Sequence, residues 1–409
     1  MTLKQVIQKL VPYTSAVWAE HVFRWLGHQG NSTATTDEKD NHINILIEAA
    51  PRFNRASSKE FSQTLRKRVN AYFEENNIKR TGDIRVAFKA LAMFSLYFVP
   101  YIIQMTMNLG TVPYLLCSVL MGFGVSGIGL AIMHDACHGS FSSKKWVNNL
   151  FAYSLNIIGG NALSWKIQHN VLHHSFTNVH GMDEDLEAGN IMRFTPSEPW
   201  KKRHRGQHIY SWVLYSLMTF SWVLLKDFKR ITKYSKVGLV QAQGVSYFNA
   251  IATIVVSKIV YVGYTLVLPI ALGYPVWLVL VGFVIMHILG GLMLAMIFQP
   301  AHIMEDHDFI NGDTDVINQS YESHQLNTTS NFAPTNKLLT WYCGGLNYQV
   351  EHHIFPSVSH VHYPAISKIV KETAEEFNLP YRSVPTWGAA LRIHQRTMKK
   401  LSEPEWSLA

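Results

Sequence analysis

Two pairs of long apolar stretches divide this 409-residue chain, and polar segments rich in histidine follow each pair. The first stretch runs from about Phe88 to Met107 and the second from Val112 to Met133. Each is close to the roughly 20 residues a helix needs to cross a bilayer. The link between them, NLGT, is short and uncharged, so the two read as a helical hairpin. A third stretch is predicted over Val255–Ala271 and a fourth over Val276–Phe298, with Pro269 and Gly273 marking their turn. Leu150–Leu163 is apolar but too short to span, which suggests a re-entrant or interfacial piece.

Other segments alternate apolar and polar residues at helical spacing. Between Lys59 and Ile78, residues Phe61, Leu65, Val69, Tyr72 and Phe73 share one face opposite a charged one, predicting a surface helix. Tyr210–Leu225, with Trp212, Tyr215, Phe220 and Trp222, lies between the basic runs KKRHRGQH and KDFKRITKYSK and suits an interfacial helix. Pro364 opens a final amphipathic helix that carries Ile366, Ile369 and Val370 on one face. Residues 1–30, with Ile7, Leu10, Trp18 and Trp25 among polar neighbours, predict helices lying on the membrane interface or on the protein's own cytosolic part, and residues 30–44 read as a loop. The expected organisation is a 1–58 extension followed by one membrane domain, 59–409. The expected fold is an all-α integral membrane protein: four transmembrane helices in two hairpins, interfacial helices and a cytosolic cap.

Composition agrees with a membrane protein. Apolar residues make up 48% and charged ones only 16%, against about 25% for a soluble average. Net charge is +8, but Lys and Arg flank apolar runs instead of forming one soluble face, which argues against nucleic-acid binding. The hairpin tips 109–112 and 272–275 hold no Lys or Arg. The positive-inside rule therefore puts the N-terminal part, the middle loop and the C-terminal part on the cytosolic side. Lys258 is expected near the cytosolic end of the third span, where it can snorkel. Cys117, Cys137 and Cys343 form no disulfide framework, and Cys137 reads as a packing residue.

The same topology delivers every histidine cluster to one side. The clusters are His134 and His138, then His169, His173 and His174, then His302, then His352 and His353. In an α-helix His169 and His173 would be one turn apart, with His174 beside them. Eight imidazoles are too many for one catalytic zinc, which takes about three protein ligands. They suit two metals with about four rings each and positions left for dioxygen or water. Nitrogen ligands without thiolate pairs allow iron, copper or zinc. An iron pair ranks first and zinc second, because copper centres commonly use fewer histidines. Asp135, Asp183 and Glu351 stand next to or near ligands and are expected to hydrogen-bond imidazole N–H groups, solvated charges being the alternative. His180, His324, His360 and His362 read as surface or supporting residues, while Trp165 and Trp341 are candidates to line a substrate tunnel.

HDACHGS, WKIQHNVLHHSFTN and NYQVEHHIFPSVSHVHYP resemble the three histidine boxes of the membrane fatty acid desaturases. Gln349 at the head of the third box, with FQPAHIMED, TTSNF and WYCGGLN, resembles the front-end subgroup, the delta-5/delta-6 acyl-lipid and acyl-CoA desaturases. The similarity runs from about Arg66 to the C-terminus and leaves residues 1–50 outside. It implies that all eight histidines hold two iron ions, with His302 as the isolated ligand after the last span. It further implies a cis double bond made in an acyl-lipid or acyl-CoA chain, with dioxygen as co-substrate. No HPGG motif of a fused cytochrome b5 domain occurs, so electrons are expected from a separate ferredoxin or cytochrome b5-type protein. Bacterial members lacking the fusion look closest, which implies a bacterial inner membrane rather than the endoplasmic reticulum. Stearoyl-type relatives carry Asn four residues before the isolated histidine; this chain carries Phe298, leaving Gln349 or Asn347 to supply a ninth contact. Two rival readings are a lipid hydroxylase on the same scaffold and a zinc-dependent membrane hydrolase, the latter disfavoured by the number of histidines.

Overall fold

The computed structural model describes residues 51–406 apart from 55, 189 and 190. The helices and loop expected within residues 1–50 lie outside the described residues. Helices dominate: α1 (Lys59–Glu75), α2 (Ile84–Thr106), α3 (Thr111–Cys137), α4 (Gln207–Ser216), α5 (Met218–Lys236), α6 (Tyr247–Ala271), α7 (Val276–His302), α8 (Tyr321–Thr328), α9 (Gln349–Ile354), α10 (Tyr363–Glu376) and α11 (Trp387–Leu401), with shorter turns between. Two tiny parallel pairs, Arg52–Phe53 with Val316–Ile317 and Asn331–Phe332 with Ser383–Val384, make up the sheet.

Among the described residues four helices are long and apolar enough to cross a membrane, α2, α3, α6 and α7. They pair as the hydropathy predicts, with different bounds. α6 starts at Tyr247, eight residues before the predicted Val255, because Ser246 caps it by accepting the Asn249 N–H. α3 and α7 run on into the histidines at their ends. Lipid-facing residues stay exposed, among them Phe88, Leu91 and Ile102 on α2 and Val256, Ile259 and Val260 on α6. The inner faces meet in a core that includes Met93, Tyr97, Val125, Ile128, Met286 and Leu294. Gly122 allows α3 and α7 to approach, since a Cβ there would sit 2.8 Å from the Met286 carbonyl oxygen.

The expected re-entrant piece is a chain of short helices, Lys145–Ala152, Ser154–Ile157 and Ala162–Trp165, with Trp146, Leu150 and Tyr153 exposed. The interfacial segment is a pair, α4 and α5, bent by 55°. Lys258 does not snorkel. It is buried, and its ammonium donates to Asp227 Oδ2 at 2.7 Å and to the carbonyls of Gly159 (2.6 Å) and Trp222 (2.7 Å). A buried ammonium needs such partners, so Lys258 ties three segments together inside the helix layer.

A second core lies beneath the third histidine box. Phe61, Leu65 and Val69 of α1 pack on Tyr348, Val350, Ile366 and Val370. Each fully buried aliphatic or aromatic side chain contributes about 1.5–3 kcal/mol. The helix opened by Pro364, α10, is not the last: α11 follows and packs Ala390, Thr397 and Met398 inward, its N-terminus capped by Thr386.

Candidate metal centre

The central box departs from the α-helix. Lys166–His173 is a π-helix, and the His174 N–H bonds the His169 carbonyl five residues back at 2.9 Å. In an α-helix a residue five positions on points about 140° away from the first. The wider turn brings both His173 and His174 beside His169, with ring centroids 5.0 and 4.8 Å from it. A second π segment, Ile128–Met133, stands immediately before His134. Both insertions aim ligand-type side chains inward, a recurrent use of π turns at functional sites.

All eight rings then meet. The donor atoms of His134, His138, His169 and His352 form one group, and those of His173, His302 and His353 a second, each within 4.8 Å of one another. His174 joins them, since its donor also groups with those of His352 and His353. Its ring stacks on His353 at 4.2 Å and sits 4.6 Å from both His138 and His352. Nε2 of His169 is 3.2 Å from Nε2 of His134 and of His174. Two nitrogens each about 2.1 Å from one ion lie about 3.0–3.4 Å apart. Nε2 of His138, His173, His352 and His353, and both ring nitrogens of His302, are buried with no hydrogen-bond partner. Buried polar atoms are rarely left so, and a set of convergent free nitrogens fits metal ions.

Carboxylates and amides orient these rings. His173 Nδ1–H donates to both oxygens of Asp183 (2.9 and 3.0 Å), and His169 Nδ1–H donates to Asp185 (2.5 Å). His353 Nδ1–H donates to Gln325 Oε1 (2.9 Å), and His352 Nδ1 shares a hydrogen bond with the Tyr363 hydroxyl (3.1 Å). Carboxylate and amide oxygens can only accept, so in His169, His173 and His353 the proton sits on Nδ1 and the Nε2 lone pair faces inward. Burial pushes His138, His169, His174, His352 and His353 well below the ordinary imidazole range, with neighbouring rings adding to the shift. For His173 burial acts in the same direction, but the Asp183 charge and hydrogen bond outweigh it and the net shift is upward.

A model of the fatty acid desaturase family matches residues 109–385, more than half of the chain, spanning all three boxes. The chain belongs to the fatty acid desaturase family. With its four apolar helices it is a membrane fatty acyl desaturase. It is 34% identical to the sn-1 linoleoyl-lipid 6-desaturase of Arthrospira platensis over 354 residues, covering 84% of this chain and 92% of that one. It is 28% identical to the sn-1 linoleoyl-lipid 6-desaturase of Synechocystis sp. over 358 residues, covering 87% and 99%. The acyl-lipid (8-3)-desaturase of Physcomitrium patens is 33% identical over 358 residues, covering 86% and 74%.

Several residues of this desaturase stand elsewhere than the sequence suggested. Asp135 does hydrogen-bond an imidazole N–H as expected, but that of His360 in the third-box segment and not a ring of the cluster (2.7 Å), and it also accepts from Ser359 Oγ–H (2.9 Å). Glu351 faces away from the rings, accepting from Asn331 Nδ2 (2.8 Å) and the Tyr381 hydroxyl (2.9 Å); burial pushes its carboxyl up to about 7. Asn347 is spent away from the rings: its Nδ2 donates to the Phe332 and Ala333 carbonyls and to the Thr340 hydroxyl. Gln349 is buried with its Oε1 unpartnered. His324, His360 and His362 are buried rather than on the surface, because each fills a gap between segments; His324 Nε2–H, for example, donates to the Thr177 carbonyl (2.8 Å). Trp165 stacks on His169 at 4.2 Å, Phe298 lies 4.6 Å from His302 and 5.3 Å from His173, and Trp341 faces Lys89. Cys137 packs in the core. The sequence pattern assigns no role to Asp185, Gln325, Tyr363 or Asn178. Asn178 closes the second-box stretch, Tyr363 lies near the end of the third-box stretch and Asp185 stands in the acidic run after the second box; Gln325 leaves no local trace.

Proposed function

We propose that this desaturase binds two iron ions and inserts a cis double bond into the acyl chain of a membrane lipid. One iron would take His134, His138, His169 and His352 and the other His173, His302 and His353, with His174 shared or completing the second set. The unpartnered Oε1 of Gln349 supports a weak further contact to an ion or its water. The observation that carries the reading is the convergence of eight rings, seven buried and His138 partly so, with inward nitrogens of His138, His173, His302, His352 and His353 that have no hydrogen-bond partner. The acyl-lipid substrates in the relatives' names support a glycerolipid over a CoA ester.

When bound, the iron pair supplies the activation of dioxygen that C–H removal requires. The balance is simple: a –CH2–CH2– unit loses two hydrogens, and these with O2, two electrons and two further protons give two waters. The residues of the chain do the rest. Asp183, Asp185 and Gln325 keep three rings in the Nδ1–H tautomer, and Tyr363 holds the His352 ring through its Nδ1. Trp165 and Phe298, half-buried against the rings, wall the place where a methylene pair must be held and keep water away. The electrons come from a separate ferredoxin or cytochrome b5-type carrier. The basic loops support the cytosolic side as the setting, and the relatives from Arthrospira platensis and Synechocystis sp. support a bacterial inner membrane.

The test is expression in a host without polyunsaturated lipids, feeding of candidate acids, and location of new double bonds by mass spectrometry, alongside metal analysis of the purified chain. An iron content near two per chain and a new double bond are expected. Zinc alone with no new double bond would refute the reading, and a hydroxylated product would favour the oxygenase rival.

A further inference from the structure

The three consecutive acids after the second box have three different tasks. Asp183 holds His173 and Asp185 holds His169. Glu184, between them, turns outward to α5. Its carboxylate pairs with Arg230 and Lys233 and accepts from the Tyr234 hydroxyl at 3.4 Å, while Arg230 Nη2 donates to the Glu184 carbonyl at 3.0 Å. Glu184 is 6% exposed, but the Lys233 side chain is 58% exposed. One tripeptide therefore joins a cation at the surface to two rings of the metal centre.

That cation belongs to a row. Lys229, Lys233 and Lys236 follow at helical spacing and all are exposed. The acid of this part of α5, Asp227, is buried and taken by Lys258, so it does not offset the row; Lys233 does meet acids, pairing with Glu184 and lying 3.7 Å from the exposed Glu187. By contrast α1 sets Glu60, Glu74 and Glu75 against its four cations. The exposed Leu224 and Leu225 come one turn before Lys229, so the row begins where the lipid-facing part of the helix ends.

We propose that Lys229, Lys233 and Lys236 form the docking surface for an acidic electron-carrier protein, with Glu184 fixing that surface over His169 and His173. This rests on the reading that the enzyme consumes two electrons per turnover. Electron transfer falls off steeply with distance, so the carrier must seat where little protein covers the metal centre. Opposite charge raises the encounter rate and makes it sensitive to salt. Anionic lipid would be drawn to the same lysines. A lipid contact, however, needs no connection to the ligand rings, and this surface has one.

The experiment uses the full-length chain in lipid nanodiscs, with reduced ferredoxin or soluble cytochrome b5 as carrier. Lys229→Glu with Lys236→Glu should raise the KM for the carrier about tenfold and flatten its salt dependence, with kcat at saturating carrier and iron content within twofold of the parent. Gln at both positions should move KM the same way by less, and Lys368→Glu on α10 should leave it alone. Unchanged KM and salt dependence in the Glu variant would overturn the proposal. So would an effect seen in anionic discs and lost in neutral phosphatidylcholine discs, which would assign the row to lipid. If the parent made no carrier-dependent product, the proposed function itself would fall, and the docking surface with it.

Discussion

Asp183→Asn removes one charge from beneath the metal centre and almost no volume. Asp183 accepts four contacts: His173 Nδ1–H on both oxygens, the Asp185 N–H on Oδ1 at 3.0 Å and the Asn178 N–H on Oδ2 at 2.9 Å. An asparagine keeps one oxygen. Whichever way its amide turns, the NH2 group meets a backbone N–H, so one hydrogen bond is lost and a buried donor is stranded. Stranding a buried donor costs about 1–3 kcal/mol, and a charge-assisted bond becoming neutral costs about 1 kcal/mol more. Folding stability should fall by about 2–4 kcal/mol. Residues that orient metal ligands are typically worth about 10–100-fold in metal affinity, or about 1.4–2.7 kcal/mol. Elemental analysis after dialysis against graded chelator measures the second quantity, and the melting temperature of the metal-free protein measures the first. Asp313→Asn, at an exposed position, is the control. Parent-like chelator resistance and melting in Asp183→Asn would show that the carboxylate does not orient His173, and the reasoning about the supporting residues would fail.

Four further outcomes are expected. His352→Ala should abolish product while the protein still inserts, since no span is touched; near-full turnover would remove the third box from the ligand set. Gln349→Ala should cut turnover while iron stays bound, and full activity with unchanged iron would leave Gln349 no role at the centre. His138, His169, His174, His352 and His353 have lowered folded-state pKa values, so the unfolded chain binds more protons below the unperturbed value of about 6.5. Stability and metal retention should therefore hold above that pH and decline as it falls, a trend His173 opposes; a flat melting temperature from pH 7.5 to 5 would contradict this. Gly344→Ala should cost about 2–5 kcal/mol, seen as loss of monodisperse protein, because φ is +61° and the new Cβ would lie 2.5 Å from Ala131 Cα.

The sequence by itself determined the four spans, their pairing in hairpins and the identity of the eight histidines. Hydropathy reports which solvent a segment meets, and it does so locally, so an apolar run of about 20 residues needs no tertiary knowledge. The boxes are local as well, because each is a short run of ligand-type residues. The tertiary structure decided how the rings divide, four in one group and three in the other with His174 between. Spacing along an α-helix could not supply that division, because Lys166–His173 is a π-helix and its turn is wider. Only the fold chose the supporting atoms, since they come from remote segments. Gln325 reaches His353 across 28 residues, and Asn178 reaches the His302 carbonyl across 124. Asn178 adopts a left-handed φ of +58° to do so, a conformation Asn tolerates better than most residues. The same reason explains Asn347, Glu351 and Lys258. Sequence proximity to a ligand, or position in an apolar run, says what a side chain could do. Burial leaves each polar atom needing a partner, and long-range packing alone determines which partner is there.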